Sequence, residues 1–178
     1  MNSNQLLVLV DEEDRMLGSM EKMQAHHEGR LHRAFSVFIF NTKGEWLLQQ
    51  RSAQKYHSAN LWSNACCSHP GPNDEILLAA QKRLYEEMGL RCALHPLFSF
   101  TYKVQLCETL TEHEFDHVFI GISDELPAAN TDEVAQWRYI SYADLCAEYN
   151  ANTEKFTYWF GLIFQQVNQA MKNITPTP

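Results

Sequence analysis

The chain has 178 residues, 45% of them hydrophobic and 12% aromatic, which suits one globular domain (1–178) with its own core and excludes a disordered chain. Its formal net charge of −8 argues against nucleic acid as a general partner, because a phosphate backbone asks for an excess of Lys and Arg. The five cysteines are an odd count without paired spacing, so they make no disulfide framework and fit a reducing, cytoplasmic setting.

Leu6 to Val10 reads as a first strand. It is too short to span a membrane, no basic residue precedes it, and acids follow it, so it is not a signal peptide either. Asp11 to Arg33 is polar without clear periodicity and reads as loop with room for a short helix. Ala34 to Phe40, the turn Asn41-Thr42-Lys43-Gly44, and Trp46 to Gln50 read as a hairpin. Asn73-Asp74 supplies a helix N-cap, and Ile76, Ala80, Leu84 and Met88 recur every four residues until Gly89 ends the helix. Leu97 to Val104, Glu114 to Ile122 and Gln136 to Ser141 read as strands, and Tyr142 to Tyr149 and Glu154 to Met171 as closing helices. Strands and helices intermix, which points to an α/β or α+β sandwich.

Asn64-Ala65-Cys66-Cys67-Ser68-His69-Pro70 is the most telling stretch. Side chains on an extended segment alternate, so Cys67 and His69 would face the same way and Cys66 the other. A thiol moves protons and an imidazole binds metals. The competing reading is packing, since cysteine is among the most buried residue types. Histidines His26, His27 and His32 lie upstream, and Glu112 and Glu114 lie downstream on one strand face together with Val118 and Ile120. Taken by themselves the two acids read as the exposed end of a strand. Combined with the histidines they form an N/O ligand set suited to Zn²⁺, Mn²⁺ or Fe²⁺ rather than Ca²⁺.

Leu84-Tyr85-Glu86-Glu87-Met88-Gly89-Leu90 resembles the C-terminal half of the Nudix box, whose adjacent glutamates bind Mg²⁺ on a diphosphate. Lys82-Arg83 stands where that motif has Arg-Glu, so the chain resembles a Nudix fold lacking part of its hydrolase machinery. Further motifs are Glu21-Lys22 with His26, Arg30-Leu31-His32-Arg33-Ala34-Phe35-Ser36, Arg51 and Lys55, Leu61-Trp62-Ser63-Asn64, Cys67-Ser68-His69-Pro70, Phe100-Thr101-Tyr102, Glu112-His113-Glu114, Asp132-Glu133-Val134 and Trp159. In order and spacing these resemble the type 1 isopentenyl-diphosphate isomerases.

That resemblance implies a Nudix-like α/β/α sandwich with a mixed β-sheet. It also implies an enzyme that interconverts isopentenyl and dimethylallyl diphosphate by an allylic proton shift, in isoprenoid biosynthesis. Carried over by position, the divalent metal site would be His26, His32, His69, Glu112 and Glu114, holding Mn²⁺ or Zn²⁺. Cys67 and Glu114 would transfer protons, with Tyr102 and Trp159 as active-site aromatics. Glu87 would help hold Mg²⁺ on the diphosphate, and Lys22, Arg51, Lys55 and Arg83 would bind its phosphates. The partner would be the small isoprenyl diphosphate, with no nucleic acid and no membrane; monomer and homodimer fit equally. The His26–His32 gap is about one residue shorter than in the bacterial members compared, which keeps His27 as a rival ligand. Serine follows Cys67 where glycine is frequent, and Cys66 is extra. Two other readings stay open on the residues alone: a Nudix hydrolase of a nucleoside or other diphosphate, and a non-enzymatic metal-binding module.

Overall fold

The computed structural model describes residues 5–174; both ends of the expected domain, 1–4 and 175–178, lie outside the described residues. The sheet is built around β3 (His32–Phe40). Its apolar, β-branched run is buried along nearly its whole length, as a central strand must be. Along one edge it pairs in parallel with β8 (Leu110–Ile122), the parallel ladder that makes the sheet mixed. Along the other edge three antiparallel partners follow in series. They are β1 (Leu6–Val10) at His32, β6 (Cys66–Ser68) at Phe35 to Val37, and β4 (Trp46–Arg51) at Ile39 and Phe40. β2 (Met16–Glu21) flanks β1, β7 (Leu94–Cys107) flanks β8, and β5 (Trp62–Ser63) and β9 (Val134–Ile140) flank β4.

Alternation along β3 sorts the core into two layers. Phe35, Val37 and Ile39 meet Ala80, Leu84 and Met88 of α2 (Ile76–Met88) on one face. Phe38 and Phe40 meet Leu145 of α3 (Tyr142–Ala151) and Phe160, Ile163, Phe164 and Val167 of α4 (Tyr158–Ile174) on the other. Helices cover both faces, so the chain is an α/β/α sandwich, as the resemblance implied. Gly89 caps α2 at φ 68°, and a Cβ there would collide with Ala128.

Several expectations need correction. The segment Asp11 to Arg33 does hold a short helix, α1 (Lys22–Glu28), but β2 and the start of β3 occupy much of what was expected as loop. β2 escaped notice because it is a largely exposed edge strand with no apolar face to repeat. The N-cap of α2 is Glu75, whose carboxylate accepts from the N–H groups of Leu77 and Leu78, while Asp74 instead closes a turn onto the Gly71 N–H. The last helix begins at Tyr158, not Glu154. A 3-10 turn (Thr153–Lys155) leads into an extended Phe156 that is buried, and Thr157 donates its N–H to Trp62 O, which breaks the helical ladder.

α4 approaches α3 closely at Gly161, where an added Cβ would overlap the Tyr149 hydroxyl. The Tyr149 ring lies against Phe156 and Phe164 at centroid distances of 5.3 and 4.8 Å, and moving into the cavity of about 620 Å³ that it borders with Gly161 would draw it off both. Gly161→Ala is therefore expected to cost about 1–3 kcal/mol through overpacking, a Tm loss of several degrees in a thermal melt. An unchanged or raised Tm would contradict this packing.

Candidate active site

The residues with chemistry gather on the α3/α4 face of the sheet. β3 places His32 and Ser36 there, β8 places Glu112, Glu114 and Asp116, and β6 directs Cys67 to this face and Cys66 to the opposite one. α1 brings His26 in from the side, buried to 1% exposure.

One donor atom from each of His26, His32, His69 and Glu112 lies within 4.8 Å of the others. Glu114 closes the group, with Oε1 at 2.8 Å from His69 Nε2 and 3.8 Å from His32 Nε2. His26 Nδ1 bonds the Lys22 carbonyl at 2.6 Å, and His32 Nδ1 bonds the Arg30 carbonyl at 2.8 Å. A carbonyl only accepts, so both Nδ1 atoms carry hydrogen, and in the neutral imidazole, the form that ligates a metal, each Nε2 lone pair turns inward. His32 Nε2 and His69 Nε2 then face each other at 3.3 Å, with two carboxylates beside them. Inward lone pairs and buried anions repel one another unless a cation lies among them. The donor set therefore fits a divalent ion that takes imidazole and carboxylate. Burial holds His69 neutral, its pKa pushed down to about 4 against the opposing Glu114 hydrogen bond. Burial and Glu112 push the Glu114 carboxyl upward, but the imidazoles of His32 and His69 beside it outweigh them and hold it at about 2. His27 turns away: its Nδ1 bonds the Thr109 carbonyl at 2.6 Å in an exposed position. Of the two rivals, His26 is the one that reaches the cluster.

Beside this cluster, Tyr102 donates its hydroxyl to Glu114 Oε2 at 2.8 Å. Trp159, in the first turn of α4, is fixed by its Nε1–H bond to Ser63 Oγ at 3.1 Å. Burial pushes the Cys67 thiol up to about 12, so it is protonated at neutral pH. Cys67, His69, Tyr102, Glu112, Glu114 and Trp159 line one cavity of about 1580 Å³, and Lys22, Arg51, Lys55 and Arg83 line the same cavity. Lys82 lines it too, so an acidic protein gathers five cations around one cavity.

The NUDIX domain family model matches residues 30–160. The isopentenyl-diphosphate Delta-isomerase of Pectobacterium atrosepticum is 52% identical over 161 residues, 90% of each chain. That of Serratia proteamaculans is 45% identical over 164 residues, 92% of each. The chain belongs to the Nudix-fold isopentenyl-diphosphate Delta-isomerase family. Among solved structures, a Deinococcus radiodurans protein superposes with a TM-score of 0.69 at 22% identity, over 83% of this chain and 90% of that one. A MutT protein of Methanosarcina mazei superposes with a TM-score of 0.66 at 17% identity, over 80% and 96%. At those identities the two structures show the shared fold alone.

In this isomerase-family chain the basic residues have partners. Arg51 lies over the Trp159 ring with its guanidinium carbon 5.3 Å from the centroid, and Lys22 lies over Tyr56 at 5.3 Å. Arg83 meets Glu86, Glu87 and Glu133, and Lys55 pairs with Glu133. Glu87 is buried at 2% exposure and does not itself line the cavity; Arg83, which touches it, does. Its Oε2 accepts from Gln49 at 2.9 Å, but Oε1, though 2.8 Å from Arg83 Nε, receives no aligned hydrogen bond. The Arg83 guanidinium therefore lies between this oxygen and the cavity, and a hard cation such as Mg²⁺ reaches Glu87 only by displacing it.

Sequence reasoning missed three members of the site. His57 places Nε2 at 3.0 Å from Glu112 Oε1 and its ring edge-on to Trp159 at 5.9 Å. Tyr56 stands edge-on to His26 at 6.2 Å. Both come from an irregular loop, where periodicity carries no signal. Asp116, one step beyond Glu114 on the same face, is 1% exposed and accepts from Ser36 Oγ at 2.7 Å; its parity with Glu112 and Glu114 was the available clue. Glu112 and Glu114 are themselves buried, which overturns their reading as an exposed strand end.

Glu133 is the acid most firmly held by cations. Burial raises its pKa, but hydrogen bonds from Lys55 and Arg83 outweigh this and bring it from 4.5 to about 2. A folded-state pKa below the unfolded one stabilises the fold above about pH 4.5, and that stability is lost as pH falls through about 2. Urea midpoints of wild type and Glu133→Gln should therefore differ at neutral pH and converge across that window. A gap independent of pH would contradict the pairing.

Proposed function

We propose that this protein interconverts isopentenyl diphosphate and dimethylallyl diphosphate, as its relatives' names describe for them. The single observation carrying this reading is the convergence, on one cavity, of Cys67, the Tyr102–Glu114 pair and Trp159 with Lys22, Arg51, Lys55, Arg83 and the His69 and Glu112 edge of the His/Glu cluster. The allylic shift needs one group to protonate the terminal methylene and another to take a proton from the neighbouring allylic carbon. Cys67 and Glu114 would share these two tasks. Between the two transfers the substrate is a tertiary carbocation with no oxygen to hold its charge. The indole of Trp159 would stabilise it, since a desolvated cation–π contact is worth ~2 kcal/mol or more. Tyr102 holds Glu114 in place. Lys22, Arg51, Lys55 and Arg83 would bind the diphosphate. Keeping water from the apolar end protects the cation from capture as an alcohol.

His26, His32, His69, Glu112 and Glu114 would hold the divalent cation, Mn²⁺ or Zn²⁺, and Glu87 would hold Mg²⁺ against the diphosphate. The first ion, when bound, alters the basicity of Glu114 and fixes its orientation. The five cysteines are all unpaired, which suits a reducing cytoplasm. No described helix is long and apolar enough to cross a membrane.

The Nudix hydrolase reading is weakened by Arg83, which stands where the hydrolase motif places a metal-binding glutamate. Phosphorus NMR on purified protein with isopentenyl diphosphate and both cations distinguishes the two. We expect the diphosphate to stay intact while the double bond moves; released phosphate without isomer would favour the hydrolase.

A further inference from the structure

Lys55 and Arg83 reach the cavity from separate parts of the chain, the loop after β4 and the middle of α2. One carboxylate holds both. Glu133 pairs with Lys55 through Oε2 and with Arg83 Nη2 through Oε1, at 2.9 Å for the latter. Its main chain is tied as firmly. The Glu133 N–H donates to Asn130 O, and its carbonyl accepts from the Ser52 N–H, each at 3.0 Å. The Asn130 N–H in turn donates to the Glu87 carbonyl at 2.8 Å. The turn before β9 therefore fastens the loop carrying Lys55 to the helix carrying Arg83, and Glu133 supplies its charge.

We propose that Glu133 is a positioning residue of the diphosphate subsite, setting the Lys55 and Arg83 head groups in place without touching substrate. This rests on the function proposed above. Lysine and arginine each carry about 2 kcal/mol of rotamer entropy, so head groups ordered in advance lose less when an anion arrives. The cations around the cavity also repel, and a fixed carboxylate between two of them keeps the pair assembled. A carboxylate acting as a stand-in for substrate would have to swing out. Glu133 lines the cavity too, but its carboxylate is committed to one cation per oxygen and its backbone is anchored on both sides. An ammonium has three donors, so two Lys55 N–H groups remain for phosphate oxygens.

The test is the sign of the effect. Bare Coulomb attraction says that removing a negative charge draws a diphosphate in more tightly; positioning says the reverse. Inorganic pyrophosphate with Mg²⁺ is titrated calorimetrically into the full-length wild type, Glu133→Gln and Glu133→Asp, and steady-state rates are measured with isopentenyl diphosphate. We expect Glu133→Gln to raise the pyrophosphate Kd and the KM about tenfold, the scale of one charge-assisted contact, with kcat changed less than about twofold. Glu133→Asp, which keeps the charge on a shorter stem, should fall between; should the Gln variant not fold, a raised Kd in Glu133→Asp carries the test. A Kd that falls or stays constant in a folded variant overturns the proposal. Wild type that binds pyrophosphate but does not isomerise would defeat the proposed function alone, because the Kd comparison stands without turnover.

Discussion

Cys67→Ala is expected to lower kcat by roughly two to four orders of magnitude, the range of general acid–base catalysis, while Cys66→Ala leaves it near wild type. The two neighbours differ by which face of β6 they occupy. Cys67 pairs across the sheet with Ser36, faces the α3/α4 layer and lines the cavity. Cys66 is fully buried against Phe35, Val37 and Leu84 in the α2 layer, and burial pushes its thiol well above its usual range. Its replacement removes packing, at a cost on the order of 1 kcal/mol, readable in a melt and not in turnover. Steady-state rates on both variants check the pair. Activity lost in Cys66→Ala and kept in Cys67→Ala would mean that the catalytic face of β6 has been misassigned.

Stripping divalent cations with a chelator is expected to abolish turnover and lower the Tm, and Mn²⁺ or Zn²⁺ is expected to restore both. Two carboxylates and three imidazoles buried together are unfavourable without a counter-charge. An ion binding only the folded state adds stability as RT ln(1 + [L]/Kd), about 2.7 kcal/mol at a hundredfold excess over Kd. The choice between the histidines sharpens the test. His26 Nε2 lies 3.1 Å from Glu112 Oε2, whereas His27 bonds the Thr109 carbonyl outside the cluster. His26→Gln should therefore lose most of the metal-induced Tm shift, and His27→Gln should keep it. A shift lost in His27→Gln and kept in His26→Gln would put the ion elsewhere.

Strand parity made much of the site legible. Period-two alternation puts Glu112 with Glu114, and β8 obeys it, whereas β6 ends at Ser68 and His69 reaches the cavity from beyond the strand. The four-residue stripe from Ile76 to Met88 located α2 for the same reason, since a buried face repeats. What stayed hidden lacked a repeat. β2 is exposed on an edge, and Tyr56 and His57 sit in a loop whose path is fixed by distant contacts such as Glu112. The burial of Glu112 and Glu114 was illegible for another reason. An acid reads as solvent-facing unless its partners are known, and here they come from residues as far off as His26. Glu133 was visible as part of a motif, but its hold on Lys55 and Arg83 depends on a turn that brings three separate segments together.

The central claim is that this cavity moves a proton on and off carbon. Its most direct measurement incubates the purified protein with isopentenyl diphosphate, Mg²⁺ and either Mn²⁺ or Zn²⁺ in D₂O, followed by proton and deuterium NMR. Dimethylallyl diphosphate carrying deuterium in the new methyl group is the expected product, because the donated proton comes from a group that exchanges with solvent. Folded, metal-loaded protein that forms no dimethylallyl diphosphate would contradict it.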